Sequence, residues 1–230
     1  MLETWFSREH RRRKLAMQAA PGPLRDFLQT PWPSPDSDAR EVEFAALDFE
    51  TTGLDAQRDS ILSAGWLALH GTAIDLGTAQ HRILRSAQPL PEQSVLIHQL
   101  TDDAVAGGDR LENVLPTLLS FLAGRVLLAH HAQLEFQFLR QACRRIFGSD
   151  FVMPVVDTQW LALQSMRQRG LHYSAKDLRL FNLRQRYNLP RYRAHNALSD
   201  ALATAELFVA QLAERAGAKP VRLKRLLVRM

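Results

Sequence analysis

An aspartate and a glutamate stand at the end of a strongly apolar stretch of the sequence. The stretch reads FAALDFETTGL over residues 44–54, and its carboxylates are Asp48 and Glu50. Side chains on a strand alternate between its two faces, so residues two apart point the same way. Neighbouring carboxylates repel each other and are costly to bury unless a cation lies between them or both reach water. The pair therefore predicts a bound cation or an exposed strand end.

Two further carboxylates lie on predicted helices without an evident basic partner. Glu135 falls on the same side of its helix as an apolar stripe, and Asp200 shares a face with alanines in NALSDALATAELFVAQLAE. No Lys or Arg occurs between residues 194 and 214, so no cation lies within reach of Asp200 along its own helix. An exposed helix face is the alternative explanation, since alanine tolerates solvent. His195 can fold back toward Asp200 if Asn196 caps this helix.

These residue types indicate a particular chemistry if they converge in the fold. Carboxylate oxygens in this number suit hard divalent cations, Mg²⁺ or Mn²⁺. Two such ions about 4 Å apart would hold the attacking and leaving oxygens of a phosphodiester during an in-line displacement. The cation between Asp48 and Glu50 would then be a metal ion, and basic side chains would be missing nearby because they would compete with it.

The elements that must position these residues follow an α/β pattern from residue 43 onward. The periodicity predicts three antiparallel strands at FAALDF, SILSAGWLALHG and AIDLGTAQHRIL, and later strands at RVLLAH and FVMPVVD. Helices are predicted at TDDAVAG, at NVLPTLLSFLAG, at AQLEFQFLRQACRRIF and over most of the chain from residue 158 to about 216. This order predicts an α/β fold with a mixed sheet flanked by helices.

Composition sets the wider limits. The chain has 230 residues, a net charge of +5 and 46% hydrophobic residues, which is typical of one globular domain with an appendage. The basic residues cluster, which favours a polyanionic partner. A single cysteine excludes an internal disulfide, and no signal peptide or membrane span is evident, so we expect a cytoplasmic protein with no membrane partner.

The sequence also suggests where the domain begins and ends. Residues 1–40 are basic and rich in proline, and we interpret them as an N-terminal extension. Residues 41–215 carry the α/β pattern and all four carboxylates. Residues 216–230 are interpreted as a basic C-terminal tail.

Three segments of the chain resemble the motifs of a known family. LDFETTGL, LLAHHAQLEFQFL and HNALSDALATAELF are similar, in that order, to the three exonuclease motifs of the DnaQ-like, DEDDh 3′→5′ exonucleases. This superfamily includes the proofreading subunit of the bacterial replicative DNA polymerase. The resemblance covers about residues 43–212 and extends to LIHQLTDD and VVDTQWLA. It implies a ribonuclease H-like fold with a five-stranded mixed sheet, and it makes residues 41–215 an exonuclease domain.

The resemblance also implies roles for single residues. It makes Asp48, Glu50 and Asp200 metal ligands, places Glu135 as the fourth, and makes His195 the general base that deprotonates the attacking water. It implies two ions, Mg²⁺ or Mn²⁺, and release of nucleoside 5′-monophosphates from the 3′ end of single-stranded or frayed DNA. The predicted substrate contacts are Thr51, Thr52, Gly53, Leu54, His131 and Arg193.

One motif departs from the family pattern. The second motif of the family reads Asn-Ala-x-Phe-Asp, whereas this chain has HAQLE, with His131, Leu134 and Glu135 in place of Asn, Phe and Asp. Glutamate keeps the charge and the oxygen donors but reaches roughly 1.5 Å further, the length of one carbon–carbon bond. We expect activity to survive with an altered metal preference.

Two other functions remain open at this point. The motifs are shared with RNA-directed members of the family, and one sequence does not resolve the contacts that distinguish a 2′-hydroxyl. A non-catalytic relic that binds nucleic acid or a polymerase is the second alternative, in which Glu135 has broken catalysis. Association with a DNA polymerase is an expectation by analogy alone.

Overall fold

A mixed five-stranded sheet forms the centre of the structure, a computed structural model that describes residues 2–86, 105–192, 195–216 and 220–229. Its strands are β1 (Glu43–Thr51), β2 (Ile61–His70), β3 (Ala73–Ile83), β4 (Val126–Ala129) and β5 (Val155–Asp157). They lie in the order β3-β2-β1-β4-β5. The first three are antiparallel, and β4 and β5 continue the sheet parallel to β1.

Helices cover both faces of this sheet. They are α1 (Leu2–Gln18), α2 (Pro23–Gln29), α3 (Leu111–Leu122), α4 (Gln133–Phe147), α5 (Thr158–Gln168), α6 (Leu180–Arg186) and α7 (Ala197–Ala216). Helices α1 to α4 contribute to the core on one face, and α7 lies across the other face, against β1, β2 and β3. Strand β1 is buried along nearly its whole length because both of its faces are covered.

This architecture confirms the predicted α/β fold. The three-strand antiparallel start, the strand at residues 126–129 and the helices at 111–122 and 133–147 agree with the periodicity. Strand β5 is shorter than predicted and begins only at Val155. Pro154, just before it, has no amide hydrogen to donate to a neighbouring strand. The predicted helix at TDDAVAG and the motif LIHQLTDD fall mostly outside the described residues.

The two ends of the chain pack onto the domain and onto each other. Leu24, Phe27 and Leu28 of α2 belong to the core under the sheet. Residues 220–229 return beside β5, where the amide of Val228 donates to the carbonyl of Val155 over 3.0 Å. The division of the chain at residues 40 and 216 stays a prediction, but both flanking segments contribute buried side chains.

The direction of the strands sets the position of the site. Because β1, β4 and β5 are parallel, their carboxyl ends meet at one edge of the sheet. Asp48 and Glu50, the turn that follows β4, and Asp157 at the end of β5 all lie at this edge. Among the described residues, no helix combines the length and the apolar character needed to cross a bilayer.

Candidate active site

Glycine 65 allows a helix to reach the carboxylates of β1. Gly65 lies on β2 directly opposite Asp48. A Cβ atom at this position would lie 2.1 Å from the backbone nitrogen of Leu198 and 2.2 Å from the carbonyl carbon of Ala197, both in the first turn of α7. The missing side chain therefore lets the start of α7 pack onto the sheet backbone beside Asp48.

The first turn of α7 presents Asp200 to the same edge. The side chain of Asn196 accepts a hydrogen bond from the amide of Ser199 at 3.1 Å, which caps the helix as predicted. His195 precedes this cap with a left-handed backbone, φ 71°, and its amide donates to Oδ2 of Asp200 over 2.8 Å. His195 therefore lies in the loop before the helix and folds back toward Asp200.

Three of the four predicted carboxylates form a tight group. One oxygen each from Asp48, Glu50 and Asp200 lies within 4.8 Å of the others. Burial and the neighbouring carboxylates of Glu135, Asp200 and Glu50 raise the pKa of Asp48 well above its ordinary range. Burial, followed by the charge of Glu50, raises the pKa of Asp200 to about 6, although the amide of His195 opposes the shift. Each charge in the group therefore disfavours the next one.

Glu135 lies beside this trio in the first turn of α4. Its side chain is 3% exposed, and its Oε2 atom has no hydrogen-bond partner among the described residues. Burial raises its pKa to about 8, and Asp157 and Glu50 contribute to the increase, while the amides of Glu135 and Phe49 oppose it. A buried carboxylate oxygen without a donor is costly unless a cation reaches it.

The donor set fits a divalent metal ion. All of the grouped atoms are carboxylate oxygens, which hard cations such as Mg²⁺ and Mn²⁺ prefer. Burial and the neighbouring carboxylates raise the pKa of both Asp48 and Asp200, which is the environment that a bound cation would offset. An ion bound here would offset the repulsion among these carboxylates, to which the neighbouring Glu135 also contributes.

Asp157 organises the turn that leads from β4 to α4. Its carboxylate accepts hydrogen bonds from the amides of His131 and Ala132, each at 3.1 Å, and from those of Gln159 and Trp160 at the start of α5. The sequence predicts the helix cap but not the contacts to residues 131 and 132, which arise only when the two parallel strands pair. Asp157 thereby fixes the backbone just before Glu135.

The loop after β1 is tied down by its own side chains. Thr52 donates to Asp59 over 3.1 Å and accepts from the amide of Ser60 over 3.0 Å, and Thr51 donates to the carbonyl of Gly53 over 2.7 Å. Leu54 is 79% exposed at the tip of this loop. The structure thus places Thr51, Thr52, Gly53 and Leu54 on a rigid rim beside the acidic trio.

A pocket of about 560 Å³ opens in front of Asp48, Asp200 and His195. Residues of α6 and of the segment that follows it form its far wall. Arg184 of α6 holds this wall together, because its guanidinium donates to the carbonyls of Ala203 and Pro190 and to Glu206. Aromatic and basic side chains also line the pocket, namely His130, Arg179, Phe181, Arg191 and Tyr192.

Two of the predicted substrate residues need separate description. His131 is exposed, and its Nδ1 atom lies 2.9 Å from Oε1 of Gln159, so its ring lies on the side of α5. Arg193 falls outside the described residues. The neighbouring Arg191 stacks over Phe181 in the pocket wall, with 5.2 Å between the guanidinium carbon and the ring centre.

The sequence of residues 45–208 matches the profile of a family described as Exonuclease, RNase_T. The chain belongs to this exonuclease family. The match covers well over half of the protein and includes every carboxylate of the site. The family comprises hydrolases of the exonuclease type that generally use divalent metal ions, which agrees with the acidic trio.

Two curated relatives of this chain are named as DNA polymerase III proteins. It is 32% identical over 176 residues to a PolC-type DNA polymerase III from Thermotoga maritima, which covers 76% of this chain and 12% of that polymerase. It is 29% identical over 175 residues to the DNA polymerase III epsilon subunit of Treponema pallidum, which covers 76% of this chain and 79% of that subunit. The chain thus spans about an eighth of the PolC-type polymerases that it matches.

Solved structures share its fold at low sequence identity. The nuclease domain of 3′hExo, described as a DEDDh family member bound to rAMP, superimposes with a TM-score of 0.67 at 15% identity and covers 84% of this chain and 99% of that one. The E. coli ExoI–ssDNA complex superimposes with a TM-score of 0.63 at 17% identity, covering 76% and 40%. These likenesses confirm the ribonuclease H-like fold.

Proposed function

We propose that this protein is a metal-dependent 3′→5′ exonuclease that hydrolyses the terminal phosphodiester of single-stranded or frayed DNA. One observation carries the proposal: three carboxylates from a strand and a helix converge within 4.8 Å, next to the buried, unpartnered oxygen of Glu135. The named relatives, a PolC-type polymerase and an epsilon subunit of DNA polymerase III, favour DNA as substrate. Association with a DNA polymerase is part of the same proposal.

The carboxylates would hold two divalent cations, Mg²⁺ or Mn²⁺. Asp48, Glu50 and Asp200 are the ligands that lie together, and Glu135 supplies a fourth carboxylate at their side. When bound, such ions neutralise the charge that develops on the phosphate oxygens as the bond breaks. Glu135 extends one carbon further than the aspartate that is usual in the family, so we expect an altered preference between the two metals.

His195 is the general base of this proposal. It lies in the loop before α7, its amide is anchored to Asp200, and its ring is exposed toward the pocket. A histidine can take a proton from water near neutral pH. The resulting hydroxide attacks the terminal phosphorus, the bond to the 3′ oxygen of the preceding nucleotide breaks, and that oxygen is protonated. A nucleoside 5′-monophosphate leaves.

We place the remaining predicted substrate contacts around the 3′ end of the nucleic-acid strand. Thr51, Thr52, Gly53 and Leu54 form the rigid rim on one side of the carboxylates. The pocket wall with Phe181 and Arg191 lies on the other side, and Arg193 follows it in sequence. We assign to these two walls the 3′-terminal nucleotide and the one before it, with His131 beside them.

RNA is the second candidate substrate. The 3′hExo nuclease domain, which shares the fold, is described as bound to rAMP, a ribonucleotide. The two polymers are compared directly, because contacts to the 2′-hydroxyl are what distinguish RNA from DNA.

The test uses 5′-labelled single-stranded DNA and RNA with Mg²⁺, Mn²⁺ or EDTA, and products resolved by gel. Wild type is compared with Asp200→Ala and with Glu41→Ala, an exposed carboxylate in the turn before β1. We expect stepwise shortening from the 3′ end that needs metal, survives Glu41→Ala and is lost in Asp200→Ala. Absence of shortening with either polymer, in folded wild type that binds both, would favour the non-catalytic alternative.

A further inference from the structure

A second groove lies at the opposite end of α7 from Asp200. Its walls come from α1, α5, the last turn of α7 and the C-terminal segment 220–229, and it encloses about 1170 Å³. Arg215 is 15 residues from Asp200 on a single helix, which places the groove about 22 Å from the trio at 1.5 Å per residue. It adjoins Val228, which pairs with Val155 at the amino end of β5.

Positive charge dominates the lining of this groove. The basic side chains that line it are Arg8, Arg169, Arg215, Lys224, Arg225 and Arg229. Among the described residues that line it, only Glu214 is acidic, and it pairs with Arg169 over 2.5 Å. Lys224 pairs with Asp36 outside the groove. Four guanidinium groups, those of Arg8, Arg215, Arg225 and Arg229, therefore form no close ion pair in the part of the chain that the structure describes, although the charge of Glu214 also acts on Arg215.

Two of these four are held in place by backbone carbonyls. Arg8 donates to the carbonyl of Val228 over 2.9 Å, and Arg215 donates to the carbonyl of Leu161 over 2.5 Å. Both side chains are half-buried. Burial and the nearby charge of Arg229 lower the pKa of Arg8, which shows that the like charges are crowded. Fixed, crowded guanidinium groups are already arranged to receive an anion, so little order would be lost when one binds.

The other two guanidinium groups are exposed. Arg225 and Arg229 lie on the C-terminal segment, and neither has an acidic partner within the described ranges. The partly buried ring of Trp160 lines the same groove and offers a surface on which a base can stack. Arginine with an aromatic neighbour is the combination that binds single-stranded nucleic acid without sequence preference.

We propose that this groove binds the phosphodiester backbone of single-stranded nucleic acid, as a second site remote from the carboxylates. It rests on the proposed function only in the choice of nucleic acid over an acidic protein. The catalytic edge carries four carboxylates, which repel a polyanion until metal is bound. A nucleic-acid strand that is long enough to reach both ends of α7 can bind at the basic groove. The groove then supplies affinity that the acidic edge does not. At ~3.4 Å per phosphate along a stacked strand, the separation corresponds to about six nucleotides.

The experiment compares a groove variant with a variant that loses the same charge elsewhere. Arg225→Gln with Arg229→Gln removes two exposed cations from the groove, and Arg13→Gln with Lys14→Gln removes two from the exposed face of α1. Binding of fluorescent single strands of about 30 and about 4 nucleotides, long and short relative to such sites, is followed by anisotropy in EDTA. A polyglutamate peptide serves as an acidic competitor.

The groove variant should bind the long strand about tenfold more weakly than wild type at low salt, and its log–log salt slope should fall by about 1.4, the value for two phosphate contacts. The short strand, which in EDTA can bind only at the groove, should also bind the groove variant more weakly than wild type, and the α1 variant should bind both strands like wild type. Equal loss in the two variants, no loss in the groove variant, or competition by polyglutamate as strong as that by DNA would overturn the proposal.

A separate measurement keeps this outcome apart from that of the proposed function. Both double variants are assayed for hydrolysis of the short strand with Mg²⁺, for which we expect the wild-type rate. Hydrolysis without loss of long-strand affinity in the groove variant would reject the groove alone. If the groove variant loses affinity for the long strand as expected, but the wild-type protein hydrolyses neither strand, the exonuclease proposal would be rejected and the groove proposal would stand.

Discussion

Negative charges cluster at the amino end of α7, and positive charges cluster at its carboxyl end. At its amino end, Asp200 joins Asp48 and Glu50, and at its carboxyl end, Arg215 joins a groove lined by further arginines. In both places, like charges lie closer together than their repulsion favours. The comparison teaches that a cluster of like charges predicts the sign of its ligand, and we accordingly propose a small cation at one end and an extended anion at the other.

The ends differ in how firmly the charges are built into the fold. Asp48 and Glu50 belong to a central strand, and α7 meets them through Gly65. In the groove, the two exposed arginines, Arg225 and Arg229, instead lie on the C-terminal segment at the surface. Substitutions at the acidic end should therefore change chemistry and stability together, while substitutions at the basic end should change affinity alone.

The largest expected effect comes from Asp48→Asn, which removes the central charge of the trio. Hydrolysis should fall at least about 10³-fold, because the metal ligands are broken. In EDTA the variant should melt at a higher temperature than wild type, since the cost of burying a carboxylate among like charges is gone. Rates and thermal scans with and without Mg²⁺ or Mn²⁺ measure both effects. A variant that metal still stabilises as strongly as wild type would break the comparison at its acidic end.

His195→Gln separates proton transfer from metal binding. Loss of a general base lowers the rate by about 10²- to 10⁴-fold, whereas the carboxylates that would hold the ions are untouched. The rise in melting temperature on adding Mn²⁺ should therefore equal that of wild type. His172→Gln, at an exposed histidine away from the pocket, provides the matched control. A loss of the metal-dependent rise would show instead that His195 acts on the ligands.

Gly65→Ala tests how the helix is seated on the sheet. The new methyl group would lie 2.1 Å from a backbone atom of α7, so the first turn must move away from Asp48. A displacement of about 1 Å at a reacting centre costs about 10²-fold in rate. Gly77→Ala is the control, because the nearest atom to its added carbon is a side-chain oxygen at 3.1 Å. Crystal structures and rates of both variants would show whether displacement and activity change together.

The smallest effect concerns a charge cluster in which opposite signs meet. Hydrogen bonds and charges from Arg140 and Arg144 lower the pKa of Asp150 despite its partial burial, and Arg11 of α1 also pairs with it. Asp150→Asn should reduce the free energy of unfolding by about 1–3 kcal/mol at pH 7.

The pH dependence of this loss has a definite sign. A carboxyl group whose pKa is lowered in the folded state contributes stability above its unfolded pKa, near 3.8, and loses it as the pH falls through the folded value. The difference between Asp150→Asn and wild type should therefore shrink steadily below about pH 4. Denaturant titrations at pH 7, 5 and 3 measure this difference. A difference that stays constant with pH would show that the arginines do not stabilise the charged form of Asp150, and the contrast with the two ends of α7 would fail.

Much of the fold and part of the site could be predicted from the sequence. The strand and helix periodicities gave the sheet and most helices, and the carboxylates stood out because no basic residue lay near them along the chain. The trio of Asp48, Glu50 and Asp200 does converge, while the catalytic roles of these residues and of His195 stay predictions. Gly65 could not be found, because its importance depends on a cross-strand neighbour and a helix 130 residues away.

The C-terminal segment shows a second limit of sequence reading. Its basic residues suggested a tail, but Val221, Leu223, Leu226 and Val228 are buried against the domain. Apolar residues in a short segment with irregularly placed basic residues give no clear helix or strand periodicity. Their partner is the proline-rich segment near residue 37, whose carbonyl at Ser37 accepts from Leu223 over 2.9 Å. Such pairing between the two ends of a chain leaves no local signal.

The backbone conformation at His131 limits which residues the chain can carry at this position. Its φ of 62° lies in the left-handed region, and from there its amide reaches Asp157. Among residues with a side chain, Asn, Asp and His adopt that conformation most readily, and β-branched residues adopt it least. In a library of substitutions at this position, Asn, Asp and Gly should therefore be recovered with near-native melting temperatures, and Val and Ile should be depleted. The exchange of Asn for His in the second motif is thus a change that the geometry of the turn permits.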